Sequence, residues 1–118
     1  MDSKTIIAEA QQTIDDLYNL LYSRKDQSAE MQDITDVLLQ VYKTLPTNKN
    51  PEALLNHLVN YIRSVSLAGR IHFPTDQETL IINLGVMGHR AGLNGSYMAD
   101  FSDKSQFYSI TEPVPHRH

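Results

Sequence analysis

Residues 31–69 read MQDITDVLLQVYKTLPTNKNPEALLNHLVNYIRSVSLAG, and their spacing decides the fold. Met31, Ile34, Val37, Leu38, Val41, Tyr42 and Leu45 recur at steps of three and four, which places them on one face of a helix. Pro46 closes that helix, because proline restricts the residue before it and donates no backbone hydrogen bond. Asn50-Pro51-Glu52 then supplies an N-cap, a proline at the first helical position and an acid in the first turn. A second run of the same period, Leu54, Leu55, Leu58, Tyr61, Ile62 and Val65, ends at Ala68-Gly69. The spacing predicts helices over about 31–45 and 51–68.

The flanks repeat the pattern. Upstream, Ser3 is placed to cap a helix over about 4–24 whose inward face is Ile6, Ile7, Ala10, Ile14, Leu17 and Leu21. Its other face carries Glu9, Gln12, Asp15, Asp16 and Asn19, and residues 25–30 read as a polar connection. Downstream, Ile71-His72-Phe73-Pro74 is expected to plug one end of the molecule. Thr75-Asp76-Gln77-Glu78 has the form of a capping box opening a helix over about 76–91, with Leu80, Ile81, Leu84, Met87, Gly88 and Ala91 inward. Gly85 and Gly88 each cost about 1 kcal/mol inside a helix, which implies either a closely packed neighbour or fraying. No glycine precedes residue 69, so the regular turn signals of an all-β chain are missing. Four amphipathic segments with short links predict an all-α, antiparallel up-down four-helix bundle.

Beyond Asn94-Gly95 the period disappears, yet four of the nine aromatics (Tyr97, Phe101, Phe107 and Tyr108) lie there. A disordered tail rarely holds so many. Residues 93–107 are expected to fold back on the third and fourth helices, completing a single domain over 1–107. Residues 108–118, with Pro113 and Pro115, are expected to be a flexible extension.

Composition excludes whole classes of function. With no cysteine among 118 residues there is no disulfide, thiolate metal site or cysteine nucleophile. A net charge of −4 argues against phosphate-backbone binding, so no nucleic-acid partner is expected. No apolar run follows Met1–Lys4, and the longest, Leu80 to Gly88, is interrupted by Asn83. Spanning a bilayer takes about 20 apolar residues, so a soluble chain is expected, any membrane contact passing through a partner.

Enzyme chemistry finds no foothold. None of His57, His72, His89, His116 and His118 has an acid three residues before it, which removes the Glu-x-x-His pairs of di-iron bundles. No Gly-x-Ser-x-Gly elbow is present. Gly88-His89-Arg90-Ala91-Gly92 follows a helix and lacks the Lys-Ser/Thr end of a phosphate loop. Asp33 and Asp36 read as a solvated helix face. No cofactor or metal is called for. The alternative to a binding module is a histidine phosphotransfer bundle using His57, although no lysine or glycine follows that histidine closely.

The tail carries a motif. Ala91-Gly92-Leu93-Asn94-Gly95, Tyr97, Ala99-Asp100-Phe101 and Asp103-Lys104-Ser105-Gln106-Phe107 together resemble the C-terminus of the enterocin A immunity protein family. These are the immunity proteins for pediocin-like (class IIa) bacteriocins. Leu17-Tyr18-Asn19, Val41-Tyr42 and Leu58-Val59-Asn60-Tyr61 support the likeness, which covers about residues 14–107. The resemblance implies a cytoplasmic, non-enzymatic four-helix bundle of lactic acid bacteria; being small and acidic, the bundle is expected to be monomeric when free. It implies binding, from the cytosolic side, to the membrane components of the mannose phosphotransferase system once the bacteriocin occupies them, so that leakage is blocked. It also places specificity in the C-terminal half. The residues expected to touch the partner are Arg90, Asn94, Tyr97, Met98, Asp100, Phe101, Asp103, Lys104, Gln106 and Phe107. Tyr97 and Phe101 are read first as a cap on the bundle between the third and fourth helices, with partner contact as the alternative. Lys104 and the residues after it are expected to lie farthest from the helices.

Overall fold

The computed structural model describes residues 3–89, 104–108, 112 and 114–115. Four helices, α1 (Ser3–Tyr22), α2 (Ala29–Thr44), α3 (Pro51–Ala68) and α4 (Thr75–His89), make an all-helical bundle, and there is no strand among the described residues. Each helix packs on its sequence neighbours, α4 returns to α1, and α1 also meets α3 across the middle. Connections this short turn each helix back against the previous one, giving the up-down arrangement.

The core is the apolar face read from the sequence. Ile6, Ala10, Ile14, Leu17 and Leu21 of α1 meet Met31, Ile34, Val37, Leu38 and Val41 of α2. Leu55, Leu58, Tyr61 and Ile62 of α3 with Ile81 and Leu84 of α4 complete it. Each fully buried aliphatic side chain contributes about 1.5–3 kcal/mol relative to leaving it in water. Tyr42, expected inward, is partly exposed.

The helix ends show which local signals win. α2 begins two residues before the expected point because the Ser28 hydroxyl accepts the Met31 N–H at 3.1 Å. α3 begins as its sequence indicates, with the Asn50 side chain accepting the Ala53 N–H at 3.1 Å. The expected capping box at α4 does not form. The Glu78 N–H goes to the Pro74 carbonyl at 2.8 Å, and the Glu78 carboxylate is taken by Arg63 of α3 at 2.6 and 2.8 Å. A bidentate charged partner outcompetes one backbone N–H.

α3 ends in a Schellman motif: Ile71 N–H reaches the Ser66 carbonyl at 2.8 Å and Arg70 N–H the Leu67 carbonyl at 3.3 Å. The left-handed residue is Arg70 (φ 54°) rather than Gly69. Gly69 serves space instead, since a Cβ there would lie 2.8 Å from Glu30 Cβ. Gly88 likewise lets α4 approach the α3 backbone at Asn56, where an added Cβ would sit 2.6 Å from the amide nitrogen. Close packing, not fraying, accounts for this glycine.

At the end of the bundle near the α3–α4 link, Phe73 is buried as the plug, whereas the His72 side chain is exposed. Arg24 ties that link to α1, donating to the His72 carbonyl at 2.9 Å and to Gln77 Oε1 at 2.7 Å, with Asp26 holding its other edge at 2.6 and 2.8 Å.

Candidate functional site

The C-terminal segment is where sequence and fold meet. Lys104–Phe107 forms a single 3-10 turn, closed by Tyr108 N–H on the Ser105 carbonyl at 3.1 Å. It rests on two stripes. The α2 stripe is Asp33, Asp36 and Gln40, spaced by three and four so that all three point the same way. The α3 stripe is His57 and Tyr61, one turn apart.

Lys104 is the main fastening. Its ammonium donates to Asp33 Oδ1 at 2.8 Å, to Asp36 Oδ2 at 3.1 Å and to the Pro115 carbonyl, matching three acceptors to its three donors. The Lys104 and Asp33 side chains are 9% and 6% exposed. At that burial an ion pair is strongly interdependent: removing one member strands the other's charge out of water. The Phe107 ring packs edge-on against Tyr61, centroids 5.2 Å apart and planes at 77°. Gln106 hydrogen-bonds His57, whose imidazole titrates below its ordinary value because burial penalises the charged form, only partly offset by that bond. Further along, Gln40 donates to both Glu112 carboxylate oxygens at 3.1 and 3.2 Å.

This placement corrects several expectations. The described part of the tail lies on α2 and α3, not on α3 and α4, because the acids that hold Lys104 are on α2. Lys104 is buried instead of farthest from the bundle, and Asp33 is buried instead of solvated. Tyr108, Glu112 and Pro115, expected in a loose extension, line a cleft with Asp36, Leu39, Gln40 and Lys43. One signal for Asp33 is present in the sequence: it shares a helical row with Val37 and Val41. Arg90, Asn94, Tyr97, Met98, Asp100, Phe101 and Asp103 lie outside the described residues.

Among the described residues no group of histidines and acids could hold a metal ion, and no helix is long and apolar enough to cross a membrane. His57 is half-buried beneath the tail, a poor position for a phosphate acceptor. The chain is an all-α helical bundle carrying a docked C-terminal segment. It belongs to the bacteriocin immunity protein family, whose model matches residues 8–89. The match runs from within α1 to the end of α4 and stops short of the tail motif.

Two relatives extend it. The chain is 62% identical to a probable leucocin-A immunity protein of Leuconostoc gelidum over 96 residues, covering 81% of this chain and 84% of that protein. It is 56% identical to a probable mesentericin-Y105 immunity protein of Leuconostoc mesenteroides over 94 residues, covering 80% and 82%. No solved structure matches the chain. Proteins of this family are immunity factors, not enzymes.

Proposed function

We propose that this chain protects the cell that makes it from a class IIa, pediocin-like bacteriocin by binding, in the cytoplasm, the bacteriocin-occupied membrane components of the mannose phosphotransferase system. Binding holds the occupied receptor closed to leakage and does not degrade the peptide. The observation that carries this reading is its extensive identity to two relatives named as bacteriocin immunity proteins. The lack of a spanning helix among the described residues agrees with membrane contact made through a partner. Arg90, Asn94, Tyr97, Met98, Asp100, Phe101, Asp103 and Gln106 are the proposed contact residues, while Lys104 and Phe107, both buried against the bundle, anchor the segment.

Expression in a strain sensitive to class IIa peptides tests the proposal. Tolerance to at least one member of a bacteriocin panel should rise, and deletion of residues 97–107 should abolish it while far-UV circular dichroism still reports a helical chain. Full-length protein that is expressed and folded, yet protects against no member of the panel, refutes the reading.

A further inference from the structure

We propose that Asp33 and Asp36 of α2 are positioning residues for immunity: they hold the C-terminal segment in its working place through Lys104. The inference rests on the immunity reading above. It goes beyond it by assigning the placement of the recognition end to acids in the N-terminal half of the chain.

The geometry singles these residues out. Asp33 and Lys104 are 71 positions apart, yet their charged atoms meet at 2.8 Å with both side chains withdrawn from water. An exposed ion pair is worth little, because water and salt compete for both partners. This one is different in kind, since a lysine ammonium at that depth has to be neutralised where it sits or leave. Asp33 meets it in the interior, Asp36 at the margin with 20% of its side chain exposed, and the Pro115 carbonyl takes the third donor. If Asp33 loses its charge, the favourable course for Lys104 is to swing into water. Phe107 lies three residues along the same turn, so that movement draws its ring off Tyr61. The Gln40–Glu112 contact fastens the chain to the same helix farther on. Asp33, Asp36 and Gln40, the side chains that grip Lys104 and Glu112, all belong to α2. The segment's place thus depends on a helix remote from it in sequence.

Four full-length variants test this: Asp33→Asn, Asp36→Asn, the double replacement Asp33→Leu with Lys104→Met, and Ile6→Val as a core change far from the tail. Two quantities are read for each: the rate of chymotryptic cleavage after Phe107, identified by mass, and protection of sensitive cells. Asp33→Asn should raise cleavage by about tenfold or more, as expected when a docked segment opens locally, and protection should fall towards the empty-vector level. Asp36→Asn should move both in the same direction by less. The double replacement removes both buried charges, so docking and protection should return together. Ile6→Val lowers thermal stability without touching the tail and should leave protection intact.

Unchanged cleavage in Asp33→Asn overturns the proposal, whatever the cells show. So does faster cleavage with full protection, or a re-docked double variant that fails to protect, since Asp33 or Lys104 would then act by direct contact. In those cases wild-type protection leaves the immunity reading standing. Wild-type protein that protects against nothing removes the immunity reading itself.

Discussion

Two glycines three residues apart on α4 should respond to the same substitution with opposite signs. A Cβ on Gly88 would meet the α3 backbone, 2.6 Å from Asn56 N, 2.9 Å from Asn56 Cα and 3.1 Å from Leu55 C. Ordinary contact begins near 3.4 Å, so the helices would have to part by about 0.8 Å at that point. No side chain can rotate out of the way, because every atom met is main chain. Parting by that much forfeits about a quarter to a half of the dispersion energy of the contacts around it. Against main chain that cannot rotate away, overpacking falls in the upper part of its usual range, about 2–3 kcal/mol, from which alanine returns about 1 kcal/mol of helix propensity. Gly88→Ala should therefore lose about 1–2 kcal/mol, lowering Tm by about 4–8 °C in a chain of this size. At Gly85 the same Cβ would lie 3.7 Å from Val59 Cγ1, an ordinary contact. Gly85→Ala should gain about 0.5–1 kcal/mol and raise Tm by about 2–4 °C. Thermal unfolding by far-UV circular dichroism measures both. A Gly88→Ala protein as stable as wild type would refute the close approach of α4 to Asn56.

Arg70 holds a left-handed conformation that glycine adopts without strain, so Arg70→Gly should stabilise by about 0.5–1 kcal/mol, read as a higher urea midpoint. The guanidinium of Arg63 holds the Glu78 carboxyl below its ordinary value of 4.5 through their hydrogen bonds, which makes the pair's contribution full above that value and lost as pH falls through the lowered one. Because both side chains are more than a third exposed, Glu78→Gln should cost under about 1 kcal/mol at neutral pH, less in high salt, and flatten the acid limb of a stability–pH curve. Burial lowers the His57 pKa below 6.5, so an unfolded chain takes up that proton more readily than the folded one. Stability should then fall as pH drops through 6.5, His57→Gln should remove that part of the slope, and an NMR titration of His57 should give a midpoint below 6.5.

The helices were legible because their information is local. Asn50-Pro51-Glu52 and Gly69 mark both ends of α3, where cap, ring and turn agree. The start of α2 was harder, since Ser28 sits in a polar run and only its hydroxyl separates cap from linker. At Thr75–Glu78 the local motif is real but loses to Arg63, a competitor 15 residues away. The seat of the tail is a longer-range case. Asp33 looks like any surface acid until the returning chain closes over it, and nothing near Lys104 in sequence names its partner. The family likeness was legible from both directions, in the tail motif and in the helices that the family model matches.

The docked tail also orders events in time. The bundle closes mainly by contacts between consecutive helices, which join after short loops and form fast. The C-terminal turn must instead find a seat made of Asp33 and Asp36 on α2 and Tyr61 on α3, across a loop of about 70 residues, and that seat does not exist until those helices have packed. Docking is thus a late step, largely absent from the folding transition state. Changes at the latch will appear in the unfolding or opening rate and hardly in the folding rate. The last piece to assemble is the first that can let go, and it can do so with the helices still standing.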